Sequence, residues 1–103
     1  ISKAGGLTHA RRHRDLCRAA GLTVSVQDTV GSVLSAASIF HMGATVPERT
    51  LRCVLDPRDM VTVETGAFHA PIQNGGVIPP GAPRLGVTMN MDLLGKPVAT
   101  WAD

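Results

Sequence analysis

Tyrosine is absent from this chain of 103 residues, and Phe40, Phe68 and Trp101 are its only aromatic side chains. Any core must therefore be built from Val, Leu, Ala and Met, and there is no aromatic platform on which nucleobases could stack. An excess of charge is lacking too: ten Lys and Arg against eight Asp and Glu leave +2. That balance points neither to nucleic acid nor to an anionic membrane surface as a partner. No apolar run approaches the roughly 18 to 20 residues of a membrane-spanning helix. Only Cys17 and Cys53 carry thiols, and the four histidines (His9, His13, His41, His69) are scattered. Such spacing argues against a zinc site, and the thiols are expected to be buried and reduced, as in a cytoplasmic protein. What is present is an apolar share of 44%, enough for one small globular domain.

The chain is organised around Gly21 to His41, GLTVSVQDTVGSVLSAASIFH. Leu22 to Val26 reads as a buried strand ending in the polar pair Gln27-Asp28. Thr29, Val30 and Gly31 turn it into an uncharged helix from about Ser32 to Met42. A strand that delivers polar groups to its C-terminal end before a helix is how α/β sheets and barrels present ligand-binding residues. Val33, Leu34, Ala36, Ala37, Ile39 and Phe40 surround this helix almost completely, so it must be covered on more than one side. Two helices and three strands are not expected to supply that cover alone. Poor solubility or self-association is the corollary.

Before this unit, Ile1 to Gly6 reads as the tail of a strand entering a turn. Thr8 is a candidate N-cap for a helix to Ala20, with Gly21 as its stop. Ala10, His13, Cys17 and Ala20, with Leu16 beside them, form its expected inward face, and Arg11, Arg12, Arg14, Asp15 and Arg18 its solvated one. After the unit, Thr50 to Leu55 is a third short strand, ended by Asp56-Pro57. Strands alternating with helices predict parallel pairing. Met60 to Glu64 alternates like a strand, and Gly and Pro dominate from Gly66 to Gly86. Asn74-Gly75-Gly76 and Pro79-Pro80-Gly81 are turn chemistry, whereas Gly76-Val77-Ile78 and Leu85-Gly86-Val87 read as extended. There is no internal repeat.

Local motifs leave function open. Gly5-Gly6 before a helix could hold an anion on free N–H groups or simply turn the chain. Asp28 ends a buried strand, where it needs a partner to stay charged: a cationic ligand would be one, and the alternative is a structural role, capping the following helix through Asp28 or Thr29. Lys3 is a secondary candidate for a catalytic base or an ordinary surface lysine. His41 is a ligand or a packed histidine.

Taken together, four passages resemble the enolase superfamily, muconate-lactonizing (mandelate racemase/muconate lactonizing enzyme) subgroup. They are Lys3-Ala4-Gly5-Gly6-Leu7-Thr8 with its Arg-rich helix, AAGLTVSVQDTVGS, AASIFHMGATVPE and NGGVIPPGAPRLGV, in the family's order. QDTVGS and LRCVLDPRDMVTVETG most resemble enzymes acting on hydroxyproline betaine or 3-hydroxyproline. Arg84 departs from the Gly-Leu-Gly that usually begins at its position. The resemblance implies the C-terminal portion of a (β/α)₇β barrel, α/β in class. Residues 1–56 would run from the end of strand six to strand eight, and residues 57–103 would return towards a capping domain. Opening at Ile1, inside the pattern, leads us to expect truncation or processing.

The resemblance further implies a small-molecule carboxylate substrate, Mg²⁺ held by carboxylates outside this chain, and a lysine that removes the proton α to the substrate carboxylate. Epimerisation or dehydration would follow through a metal-stabilised enediolate. The base matches the position one residue before Ile1, so no catalytic residue is expected here and Lys3 is not the base. The resemblance assigns substrate binding to Asp28, facing a cationic nitrogen with Gln27 or Thr29 assisting. Cys53 and Leu55, or their neighbours Val54 and Asp56, would border the pocket from strand eight. The parent is expected to be cytoplasmic and homo-oligomeric. The rival expectation is a non-catalytic α/β module that holds an anionic ligand or partner.

Overall fold

A computed structural model describes residues 1–29 and 31–101; Val30, part of the expected turn after Asp28, lies outside the described residues. The chain enters through a tight turn at Ser2–Ala4 rather than through a strand. Gly5 and Gly6 follow with φ of 82° and 102°, values that L side chains resist. Gly6 then occupies the N-cap of α1, Leu7–Ala19, which leaves the expected cap Thr8 inside the helix. Gly21, at φ 70°, ends α1 as expected.

The inward face of α1 is Leu7, Ala10, Arg14 and Cys17, while His13, Leu16 and Ala20, expected to face inward, are exposed. This is a correction of one residue in helical phase. Arg14 accounts for it by reaching across to donate to Thr45 Oγ1 beyond the next helix.

Strand β1, Val24–Val26, pairs in parallel with β2, Leu51–Val54, across the helix α2, Val33–Gly43. The register matches Val24 to Leu51, Ser25 to Cys53 and Val26 to Val54, with a bulge between Val24 and Ser25. The extra residue, Arg52, lets both Leu51 and Val54 face the core. That core is Val26, Ile39, Met42 and Val46. Gly43 permits the helix to sit close: a Cβ there would lie 2.6 Å from Val54 Cγ2.

The other side of α2 is covered by the chain's own C-terminal half. β3, Gly66–Phe68, pairs antiparallel with β6, Val87–Met89, and both lie against α2. Phe68 stacks on Phe40 with centroids 5.9 Å apart. The expectation that such cover needs outside elements is therefore corrected for most of the helix: Ala36, Ala37, Ile39, Phe40 and Met42 are all buried within this chain, while Leu34 stays 43% exposed.

Between β3 and β6, Ile72–Gln73 (β4) and Gly76–Val77 (β5) form a hairpin across Asn74-Gly75, at φ 51° and 76°, as the Asn-Gly pair favours. Residues 60–64 are not a strand, because nothing pairs with them and Met60 and Val63 face solvent. Arg84, Leu85 and Gly86, read as partly extended, instead make a left-handed turn with φ of 57°, 61° and 68°. His41 Nε2 lies 3.0 Å from the Leu85 carbonyl and so anchors this turn to α2. A short α3, Met91–Leu94, is capped by Asn90. Among the described residues no helix is long and apolar enough to cross a membrane.

Candidate functional site

The sheet alternation sorts the expected site residues. Val24 and Val26 face the helices, so Ser25 and Gln27 lie on the opposite face of β1. On β2, Val54 packs against α2 and Cys53 stands beside Ser25. Cys53 is exposed and Cys17 half-buried, both free, which corrects the reading of two buried thiols. Cys53 is open because its face of the sheet is the one without helices. Leu55, two residues on, continues that face, and its amide donates to the Val26 carbonyl at 3.0 Å. The two strand ends are thus level, with Gln27 on one and Leu55 on the other.

Past Gln27 the strand ends and Asp28 turns towards the start of the chain. Its Oδ2 accepts from the Ser2 amide at 2.9 Å and from Ser2 Oγ at 2.7 Å. Oδ1 accepts from the Thr29 amide at 2.9 Å, and the Ile1 nitrogen lies 3.6 Å from Oδ2. The side chain is only 2% exposed. Burial alone would raise its pKa, but the donors on Ser2 and Thr29 outweigh it and hold the carboxyl below its ordinary value. Asp28 is held by Ser2 and the Thr29 amide, which corrects the expectation that it or Thr29 caps the following helix, α2, whose N-cap is Ser32.

A second carboxylate closes β2. Asp56 accepts from Arg58 Nε at 2.9 Å, and that hydrogen bond holds Asp56 low while raising Arg58. Arg58 also donates to the Ala70 carbonyl at 2.8 Å and lies 5.0 Å over the Phe40 ring. It therefore ties the end of β2 to α2 and to the returning chain.

Among the described residues, neither cleft beside the β1–β2 pair gathers Gln27, Asp28, Thr29, Cys53 and Leu55 together. Gln27 borders a cleft of about 160 Å³ with Ile1, Val24 and Val26, and Cys53 one of about 440 Å³ with Leu51, Asp56 and Ile72. These clefts flank the two edges of the β1–β2 pair. Lys3 is exposed and stands apart from both. Gly5 and Gly6 spend their amides on the Ser2 and Ile1 carbonyls, so they offer no anion cradle.

Sequence reasoning missed Ser2, Ser25 and Arg58. Period-two alternation from Gln27 could have found Ser25. Nothing local marks Ser2, whose partner lies 26 positions away.

Magnesium does not fit the residues present. Among the described residues, no group of three or more His, Cys, Asp or Glu could hold a metal ion. Asp28 and Asp56 are already engaged by the donors above.

Residues 1–93 match the family model described as "Enolase C-terminal domain-like". The chain is 35% identical over 102 residues to a cis-3-hydroxy-L-proline dehydratase from Roseibium aggregatum, covering 99% of this chain and 28% of that protein. Among solved structures it is similar to a protein of the mandelate racemase/muconate lactonizing enzyme type from Aspergillus oryzae. That match has 54% identity and a TM-score of 0.90 over 96% of this chain and 27% of the other. Another of that type, from Roseovarius nubinhibens and complexed with magnesium, is 46% identical with a TM-score of 0.92, over 99% of this chain and 27% of the other. The chain thus spans little more than a quarter of these relatives.

Proposed function

Because this chain belongs to the enolase C-terminal domain-like family, in its mandelate racemase/muconate lactonizing subgroup, we propose that it forms the C-terminal part of a longer proton-abstracting enzyme. Its substrate would be a proline-derived or betaine-like acid that loses the proton α to its carboxylate, with epimerisation or dehydration as the outcome. The 35% identity to a cis-3-hydroxy-L-proline dehydratase carries this reading.

The relative crystallised with magnesium supports magnesium in the longer enzyme, with ligands from outside this chain. The base would sit one residue before Ile1. The residues here would shape the pocket. Gln27, Cys53 and Leu55 wall it from the helix-free face of the sheet, and Asp28 with Thr29 sets negative charge at its rim, towards a cationic nitrogen. Residues 57–103 would run on towards the capping domain after covering α2. A homo-oligomer in the cytoplasm is the proposed setting, where free thiols such as Cys17 and Cys53 persist.

The test is to express the longer protein with magnesium and incubate it in D₂O with cis-3-hydroxy-L-proline and, separately, with a hydroxyproline betaine. Loss of the α-proton NMR signal or formation of an elimination product is expected with one of them. Neither change with either compound sinks the proposal.

A further inference from the structure

Asp28 makes more hydrogen bonds than a residue that only waits for substrate. Two of its three donors at 2.9 Å or less come from Ser2, which is remote in sequence. Beside them the Ile1 nitrogen donates to the Gln27 carbonyl at 3.0 Å, as a neighbouring parallel strand would. The chain then leaves that line at once, because Ser2–Ala4 is already a tight turn. Ile1 is thus the last residue in line with β1, and two kinds of bond hold it there: one backbone pair and the Asp28–Ser2 clasp.

We propose that Asp28 is a positioning residue, its carboxylate clasping Ser2 so that the backbone immediately before Ile1 is held level with Gln27 at the mouth of the site. This rests on the reading above, in which that preceding position carries the base. The clasp adds a side-chain tie to the Ile1–Gln27 backbone bond, just before a turn whose next residues include two left-handed glycines. A reacting group displaced by about 1 Å loses up to about a hundredfold in rate. The clasp leaves the net charge of Asp28 in place, so positioning and attraction of a cationic nitrogen are separable roles. Ser2→Ala removes one donor from the first and leaves the charge needed for the second.

The experiment uses the longer enzyme with Ser2→Ala, Ser2→Thr and Asp28→Ala. Ser2→Ala is expected to lower kcat about tenfold with KM changed less than about twofold, and to shift the limb of the kcat–pH profile that reports the base. Ser2→Thr, which keeps the hydroxyl, should restore both. An effect of Ser2→Ala on KM alone, or on neither kcat nor the pH limb, overturns the proposal. Hydrogen exchange of the Ser2 amide reads the clasp apart from catalysis: it should be slow in the parent and fast in Asp28→Ala. Fast exchange in the parent overturns the clasp even if the enzyme is active. Absence of any α-proton exchange in the parent sinks the functional reading, and the amide result still decides the clasp.

Discussion

The two long helices meet water differently. α1 carries Arg11, Arg12, Arg14 and Arg18 and buries no residue fully, while α2 carries no Lys, Arg, Asp or Glu and buries six, Ala36, Ala37, Ile39, Phe40, Met42 and Gly43. Both follow a short connecting segment, so connectivity does not explain the contrast. α2 is sandwiched between the β1–β2 pair and the returning chain, whereas α1 touches its neighbours along one stripe only. A helix can be uncharged where the chain itself supplies a second cover, and the Gly/Pro-rich C-terminal half is that cover. The lesson is one of division: stability concentrates on α2, and openness on α1 and the outer edges of the sheet.

The sharpest way to break this contrast is to truncate one side chain on each helix. Ile39→Ala opens a cavity at a fully buried position and should destabilise the chain by about 2–5 kcal/mol in urea unfolding. Leu16→Ala, at a position 69% exposed, should change stability by less than about 0.5 kcal/mol. Comparable losses would show that α1 is covered in solution by something other than this chain.

A smaller effect tests the near side of the sandwich. Gly43→Ala places a Cβ 2.6 Å from Val54 Cγ2, and the short branched valine cannot swing away. Overpacking of about 1–3 kcal/mol should exceed the roughly 1 kcal/mol that alanine adds to helix propensity. A net gain in thermal stability would mean that α2 and β2 are looser than their contact implies.

Much of this was legible from sequence, and the failures share a cause. The β1–α2–β2 unit could be read because Val24, Val26, Ile39 and Met42 follow strand and helix periods, and local glycines mark the turns. Asn74-Gly75 announced its hairpin for the same reason. What escaped depends on partners distant along the chain. Arg14 entered the inward face of α1 because Thr45 was there to receive it. Leu85 adopted a left-handed turn that His41 anchors. The cover over α2 was missed because β3 and β6 are three residues each and are separated by 18 residues. Of the proposed site, Gln27 and Asp28 could be placed just past the end of β1 by strand alternation, while Ser2 shows itself only where Asp28 reaches it.

The smallest predicted effect lies at the join between α1's open side and the sheet, where the Asp28 clasp stands in for packing. Its folded pKa is below the ordinary 3.8, because the hydrogen bonds from Ser2 and Thr29 outweigh burial. A carboxyl depressed on folding contributes stability that is fully present above its unfolded pKa and is lost as pH falls through the folded value. Stability should therefore be insensitive to Asp28 from neutrality down to about pH 4 and decline below it, with an Asp28→Asn variant declining less steeply in the same interval. Unfolding midpoints measured between pH 5 and pH 2 in both proteins read this difference directly. Parallel curves would mean that the carboxylate gains nothing on folding, and the entrance at Ile1 would then be held by its backbone pair to Gln27 alone.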